Sequence, residues 1–353
     1  MVHAGGVWSA QDTTPGAIEE ALRQLLREQE ARDAAYAPAR VLNLVAIVDR
    51  EWRGEILNRL ERVGRYHPSR TILCTVEAGR KTIDASALIT VEPEARPGEF
   101  SLTRERVVLD LGARHLEKLD TIVDPLVVSD IATLVWSPHG HPEAVDALLG
   151  IVQVALVDSV HEPDPASAVA RAEQLVQKVY VVDLAWLRST PWRERVAATF
   201  DPPQWRTELG RIDSVTVRHR PDSCIAGVLF FGWLSSRLGW EPGPLVSANG
   251  TLHGRAHARR QDVELRLVPH PGQSVPGLAG IEIGTASGVK FALDRGPGGL
   301  TAHRSDRRGK ESSWTVLGAS RGEAGILGEG IRQALLRDPA YKRALELAKA
   351  MLA

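Results

Sequence analysis

The segment TLVWSPHGHPEAVDALL (133–149) places two imidazoles and a carboxylate where they could do chemistry. His139 and His141 stand one glycine apart at the end of an apolar run, and Glu143 follows two residues later. Residues i and i+2 of an extended segment point to the same side, so both histidines could bind one metal ion. A third nitrogen would then come from His67 or His115.

The same residues also fit a structural interpretation. Trp136 ends a strand, Ser137-Pro138 turns the chain, and Pro142 opens a helix, where a proline's missing N–H costs nothing. The histidines then lie on the rim of that helix. Since neither a cysteine nor a fixed carboxylate spacing accompanies them, we favour the rim and expect no metal, zinc included.

A second candidate site is the turn GRYHPSRTIL (64–73), whose polar side chains could hold a phosphate or a partner's carboxylate. Alternatively, Pro68 sets the turn, one serine caps it and the arginines are solvated, which is the interpretation we favour. The candidate residues are Arg65, His67, Ser69 and Arg70.

Two further segments have residue types typical of partner surfaces. In TLHGRAHARR, alternate cationic positions would form one stripe on a strand, suited to an acidic surface, although an ordinary solvated sheet face explains them as well. The residues are His253, Arg255, His257 and Arg259. A tryptophan–arginine segment has the composition of an interface hot spot, although its tryptophans fit a core equally well. Its residues are Trp186, Arg188, Trp192 and Arg193.

The elements that must position these residues belong to an ordinary globular protein. The chain has 353 residues, enough for two domains, with 43 Lys+Arg against 44 Asp+Glu. Near-neutral charge argues against a nucleic-acid partner. The two cysteines, Cys74 and Cys224, suit a reducing cytoplasm, and the opening MVHAGGVWSAQ lacks signal-peptide features. CIAGVLFFGWL is about half the ~20 residues of a membrane span, so we predict a buried helix and no membrane partner.

The first half alternates strands and helices. Thr14 caps a first helix that starts at Pro15. The continuous apolar run RVLNLVAIVDR predicts a strand covered on both faces, and RTILCTVE predicts a second strand. Strands at 87–91, 106–110, 131–136 and 154–158 and helices around 113–122 and 142–149 follow. This alternation predicts an α/β N-terminal domain with a mixed or parallel sheet.

The second half has a different period. Polar SVHEPDPASA (159–168) marks the boundary between domains 1–160 and 161–353, and a helix over 166–178 and the strand VYVVDL are left open between them. DLAWLRSTPWRERVAATF predicts a short helix followed by a second helix that Thr190 caps. DVELRLV and VKFAL alternate apolar and polar residues, TAHRSDRRGKESSWTVL predicts a hairpin with a basic tip, and helices end the chain over 322–352. This half is predicted as an α+β domain with an antiparallel sheet.

Catalytic motifs are missing from the sequence. GPGGL (296–300) and LGEG (327–330) carry glycines, but neither lies between a strand and a helix in the spacing that a dinucleotide requires. Phosphate-loop, G-x-S-x-G, H-E-x-x-H and EF-hand patterns are also missing. We therefore predict no cofactor and no catalytic residue.

Three stretches resemble a known family: RVLNLVAIVDREWRGEILNRLERVGRYHPSRTILC, VWSPHGHPEAVDALL and VYVVDLAWLRSTPWRERVAATFDP. They are similar to the glucose-6-phosphate dehydrogenase assembly proteins of the OpcA family, in its actinobacterial form, and the similarity extends from about residue 14 to the C-terminus. The resemblance implies a cytoplasmic, non-enzymatic protein that binds glucose-6-phosphate dehydrogenase, promotes its active oligomer and raises its activity. That places it at the entry to the oxidative pentose phosphate pathway, where NADPH is supplied.

The resemblance supplies no catalytic residues. Cysteines linked to redox control in cyanobacterial relatives do not map onto Cys74 or Cys224. GRID (210–213) is similar to the start of a substrate signature of the dehydrogenase, but it continues as a strand without the required histidine and lysine. The rival hypothesis is a sugar-phosphate sensor or enzyme that uses His67, Ser69 and Arg70 with His139 and His141.

For the partner-binding surface we expect charge reversal at Arg70, or at Arg255 together with Arg259, to weaken activation without unfolding the chain.

Overall fold

The computed structural model of the protein describes residues 3–32, 40–64, 67–91, 103–259, 261–296, 299–317 and 322–353. The chain divides into two compact units. The first unit contains residues 1–157, 178–182 and 327–335, and the second contains the remainder.

Within the described residues the first unit has an eight-stranded sheet in the order β1-β4-β5-β3-β2-β6-β7-β8. The strands are β1 (His3–Ala10), β2 (Leu42–Asp49), β3 (Ser69–Val76), β4 (Asp84–Val91), β5 (Thr103–Leu111), β6 (Ala132–Trp136), β7 (Val154–Val157) and β8 (Tyr180–Asp183). The helices are α1 (Pro15–Arg32), α2 (Arg53–Gly64), α3 (Leu119–Val123) and α4 (Pro142–Leu148). Strands β5, β3, β2, β6 and β7 pair in parallel, whereas β1–β4 and β4–β5 pair antiparallel. The mixed sheet that the sequence predicts is confirmed.

Local sequence explains these elements. Residues 42–48 of β2 are all buried, as a strand covered on both faces must be. Asn43 lies in that buried run because its side-chain amide donates to Val128 O at 2.9 Å and accepts from Val128 N at 3.0 Å. Helix α1 starts at Pro15 as predicted, and Ala17 N donates to Thr14 Oγ1 at 3.3 Å.

Strand β1 has no counterpart in the sequence prediction. It pairs antiparallel with β4 along the edge of the first sheet. The two glycines in its short sequence, HAGGVWSA, lower its intrinsic strand propensity, so pairing with β4 rather than local preference fixes its conformation.

Within the described residues the second unit has a nine-stranded sheet, ordered β10-β12-β13-β9-β14-β15-β16-β17, with β11 beside β12. The strands are β9 (Ile212–His219), β10 (Glu241–Pro242), β11 (Val246–Ala248), β12 (Thr251–Ala258), β13 (Gln261–Pro269), β14 (Leu278–Thr285), β15 (Lys290–Gly296), β16 (Gly299–Ser305) and β17 (Glu311–Leu317). The helices are α5 (Pro165–Val176), α6 (Leu184–Arg188), α7 (Thr190–Phe200), α8 (Pro203–Leu209), α9 (Cys224–Leu238) and α11 (Ala340–Leu352). Residues 327–335 of α10 (Gly322–Leu336) belong to the first unit. Of the pairings described, only β13–β9 is parallel, so the predicted antiparallel character is confirmed.

The apolar helix α9 forms the centre of the second unit. All of its residues from Ile225 to Ser235 are buried, and it packs on β9 and β13 as well as on α11. In β13, Val263, Leu265 and Leu267 face inward with no exposed surface, while the residues between them are exposed. The alternation read from the sequence therefore describes a sheet with one face covered by a helical layer. No helix among the described residues combines the length and apolarity that crossing a bilayer requires.

Candidate functional site

The first sheet has a topological switch point between β2 and β6. From β2 the chain proceeds to β3 and β5 on one side, and later to β6 and β7 on the other. In open parallel sheets of this kind, ligands bind in the crevice at the carboxyl ends of the strands beside the switch point. Asp49 ends β2 there, and the His139–His141 loop follows β6.

At this crevice the two histidines make different contacts. His141 Nε2 lies 3.2 Å from Asp49 Oδ1, and His141 Nδ1 lies 3.5 Å from Glu143 Oε1. The His139 ring stacks on the Trp52 indole at a centroid distance of 4.6 Å. Gly140 and His141 have φ values of 116° and 58°, so this loop is not extended. The geometry that would point both imidazoles at one metal ion is therefore not formed.

These contacts favour the rim interpretation. Pro142 opens α4, as the sequence predicts, and Ser137 Oγ donates to Ile47 O at 3.3 Å, which ties the loop to β2. Among the described residues, no three His, Cys, Asp or Glu side chains come together as metal ligands. The crevice thus presents an imidazole between two half-exposed carboxylates, an arrangement that repels a phosphate.

The second candidate cluster is largely structural. Arg65 lies outside the described residues. Ser69 and Arg70 are buried, and Arg70 Nε donates to Glu105 Oε2 at 2.7 Å while its Nη1 donates to Leu126 O at 2.9 Å. The expectation that charge reversal at Arg70 leaves the fold intact is wrong, because reversal would bury two carboxylates side by side. Nearby, burial lowers the pKa of His67, which hydrogen-bonds the backbone of Gly328.

The structure does not bring the two histidine clusters together. Ser69, at the start of β3, is level with Leu42 at the start of β2, whereas Trp136 pairs with Ala46 near the end of β2. Parallel strands all start on the same side of a sheet. Residues 67–70 precede or begin a strand and residues 139–141 follow one, so the two clusters lie at opposite ends of the strands. The separation is roughly the length of β2, eight residues or about 25 Å. A single sugar-phosphate site built from both clusters is therefore not assembled.

The tryptophan–arginine segment lies inside the second unit. Trp186 and Trp192 are 2% and 1% exposed, which settles their two interpretations in favour of the core. Arg193 lies over the Trp186 ring at 3.5 Å, and burial lowers its pKa to about 10. Arg188 binds both oxygens of Asp158, at 2.8 and 2.6 Å. None of these four side chains is displayed to a partner, because they hold α6 and α7 in place.

Asp183, which the sequence analysis overlooked, is the centre of a buried polar network. Its carboxylate accepts from Ser159 Oγ at 2.6 Å, Ser159 N at 3.2 Å, Ala185 N at 2.9 Å and the Tyr341 hydroxyl at 3.1 Å. Burial raises the pKa of Asp183. An aspartate between the strand VYVV and a helix is an N-cap signal that could have revealed it.

Of the four residues predicted to form a cationic stripe, His253, Arg255 and His257 lie on one face of β12, and Arg259 follows the end of the strand. Arg255, His257 and Arg259 are exposed and His253 is half-buried. His257 Nδ1 lies 3.0 Å from Asp262 Oδ1, and Arg255 pairs in register with Glu264 on β13. The acidic residues of β13 therefore give this surface mixed charge.

Comparison with known proteins identifies relatives of both halves. Models for the N-terminal and C-terminal domains of the OpcA glucose-6-phosphate dehydrogenase subunit match residues 61–174 and 179–345. The OxPP cycle protein OpcA of Synechococcus elongatus is 26% identical over 202 residues, covering 56% of this chain and 45% of the relative. The protein of the same name from Nostoc punctiforme is 30% identical over 184 residues, covering 50% and 40%. The chain thus matches less than half the length of either relative.

Among solved structures, the WlbA dehydrogenase of Thermus thermophilus matches 88% of this chain and 96% of its own. Its identity is 13% and its TM-score 0.43, a likeness that carries no functional inference.

Proposed function

Because the chain belongs to the OpcA family of glucose-6-phosphate dehydrogenase assembly proteins, we propose that it binds this dehydrogenase and activates it without catalysing a reaction itself. Matches to both subunit domains, which together extend from residue 61 to residue 345, carry this proposal. The chain would then act at the entry to the oxidative pentose phosphate pathway, and the dehydrogenase in its active oligomer would be the species that it binds.

The residues at the switch point support a non-catalytic role. A dinucleotide site needs glycines directly after the first parallel strand, so that the backbone can approach the pyrophosphate. Here no glycine occurs between Arg40 and Arg53, and the strand β2, which ends at Asp49, is followed by Arg50-Glu51-Trp52. The Trp52 indole and His139 fill the position beside the strand ends, and Asp49 adds negative charge there.

Activation requires differential binding. A partner that binds the active form of the dehydrogenase more tightly than the inactive form shifts the population by that ratio of affinities. Couplings of this kind are typically about 1–3 kcal/mol, or about 5- to 150-fold. No contact with the substrate is needed.

The test uses the purified chain and the dehydrogenase from the same organism. We expect no NADPH formation by the chain alone, co-elution with the dehydrogenase, and a saturable rise in kcat or fall in KM as the chain is added. Absence of binding in a pull-down, or turnover by the isolated chain that a single substitution abolishes, would refute the proposal.

Calorimetry with glucose 6-phosphate and 6-phosphogluconate distinguishes the rival sugar-phosphate sensor. We expect no tight binding by the isolated chain, since the two clusters that such a site would need lie at opposite ends of the strands of the first sheet.

A further inference from the structure

The second sheet has a face that the described helices leave uncovered, here called the outer face. Its side chains point away from α9, and one row of cross-strand neighbours runs over seven strands from β12 to β17. That row is His253, Arg266, Thr216, Glu282, Ala292, His303 and Ser313. Arg266, Glu282 and His303 are exposed, whereas the residues beside Glu282 in sequence, Ile281 and Ile283, are buried on the opposite side.

The outer face is large enough for a stable interface. Seven strands about 4.8 Å apart and seven to nine residues long give a surface of about 30 by 25 Å, or about 750 Å². A standard protein–protein interface buries about 800 Å² on each partner.

The outer face is concave at its centre, so side chains of another protein could pack into it. Ser214, Gly284 and Ala292 are short and lie near its centre, while longer charged side chains flank them on both sides. A groove of about 350 Å³ lies over β14–β17. Its lining includes Glu282, Lys290, Ala292, His303, Ser305 and Glu311.

Charged side chains outside the groove form ion pairs within the chain, whereas several of those inside it do not. Outside the groove they pair within the chain, as Arg266 does with Glu264 at 2.8 Å and Arg218 does with Asp294. Inside the groove, the side chains of Glu282, Lys290 and Glu311 are exposed and make no hydrogen bond or ion pair within the part of the chain that the structure describes. Arg304 also lines the groove, but its guanidinium lies over the Trp205 ring at 4.4 Å. Unpaired charges of both signs fit a protein of complementary charge, whereas nucleic acid and anionic lipid need a uniformly basic surface.

Building on the function proposed above, we infer that the outer face of the second sheet is where the dehydrogenase docks. A guanidinium or ammonium group of the enzyme would lie against Glu282 and Glu311, and a carboxylate against Lys290. A second copy of this chain fits less well. Glu282 stands fourth in the row of seven, so a twofold copy centred on the face would set it against its own equivalent.

The test compares Glu282→Arg and Ala292→Trp with Glu346→Arg. The first reverses a groove charge and the second fills the groove, and both positions point outward from the sheet. The control replaces an exposed glutamate of α11, which packs on α9 on the other side of the sheet. We expect the two face variants to weaken dehydrogenase binding by about tenfold or more, and to lose activation in proportion, while the control binds like the wild type. Circular dichroism and thermal unfolding should show all three variants folded.

Two results would overturn the docking face alone: wild-type affinity of both face variants for the dehydrogenase, or a wild-type dimer that Glu282→Arg converts to monomer while dehydrogenase affinity is unchanged. Failure of the wild type itself to bind would overturn the proposed function, and this inference with it.

Discussion

At the residue scale, the side chain of Asp183 organises a buried hydrogen-bond network. Four donors from Ser159, Ala185 and Tyr341 converge on one buried carboxylate. Buried polar groups of this kind stabilise a fold only when every partner is present, because each donor left unpaired costs its desolvation energy. One of the three stretches that carry the family resemblance, VYVVDLAWLRSTPWRERVAATFDP, therefore coincides with a structural network rather than with a displayed surface.

Loss of hydrogen bonds from this network should lower the stability of the fold. Asp183→Asn should lower the free energy of unfolding by about 1–3 kcal/mol, since an amide cannot accept from all four donors, and Tyr341→Phe should cost about 1 kcal/mol. Denaturant titration measures both. The folded fraction of each variant should still activate the dehydrogenase. If Tyr341→Phe kept full stability yet abolished activation, this segment would contact the partner after all.

At the element scale, the pairing of α9 with α11 depends on close approach of two helix backbones. A Cβ placed on Gly232 would lie 2.2 Å from Ala344 O and 3.3 Å from Ala348 N. These are backbone atoms, which cannot rotate away as a flexible side chain does. The glycine in the middle of the apolar helix is thus required by helix packing and not by a turn.

Gly232→Ala should therefore destabilise the chain by about 1–3 kcal/mol, because it forces α11 away from α9. The matched control is Gly328→Ala in helix α10, where an added Cβ meets nothing within 4 Å and the lower backbone entropy of alanine favours the helix. Thermal unfolding should show a lower Tm for the first variant and an equal or higher Tm for the second. An equal or higher Tm in both variants would show that helix propensity, not packing, decides the outcome.

At the scale of the whole molecule, each unit holds one cysteine, of which Cys74 is buried and Cys224 is half-buried. Cys74 belongs to the first unit and has no exposed surface, and burial raises its pKa to about 12. Cys224 belongs to the second unit, and burial raises its pKa to about 11. The thiolate is the reactive form, so both thiols are almost fully protonated at neutral pH.

Activation should therefore be insensitive to redox state. Treatment with a mild oxidant or with dithiothreitol should change neither dehydrogenase activation nor the mass of the chain. An alkylating reagent should label Cys74 only after unfolding and Cys224 only slowly in the folded chain. Cys74→Ala and Cys224→Ala serve as controls for site assignment. Rapid labelling of either thiol in the folded chain at pH 7.5 would contradict this expectation.

The sequence by itself determined the features that depend on local signals. Helix starts at Pro15 and Pro142, the strand β2 and the alternation in β13 follow from proline geometry and apolar periodicity, which act over a few residues. The lack of a phosphate-binding glycine loop was also readable, since that geometry needs glycines at fixed spacing.

Only the tertiary structure decided which candidates share a location and which are buried. Trp186 and Arg70 are of residue types that are common at interfaces. However, Trp186 donates to Asp338 and Arg70 donates to Glu105, both far away in sequence, and these contacts place the two side chains inside their units. Strand order likewise set His67 and His141 at opposite ends of the strands of one sheet. Burial and proximity arise from contacts between residues distant along the chain, so residue type and spacing do not encode them locally.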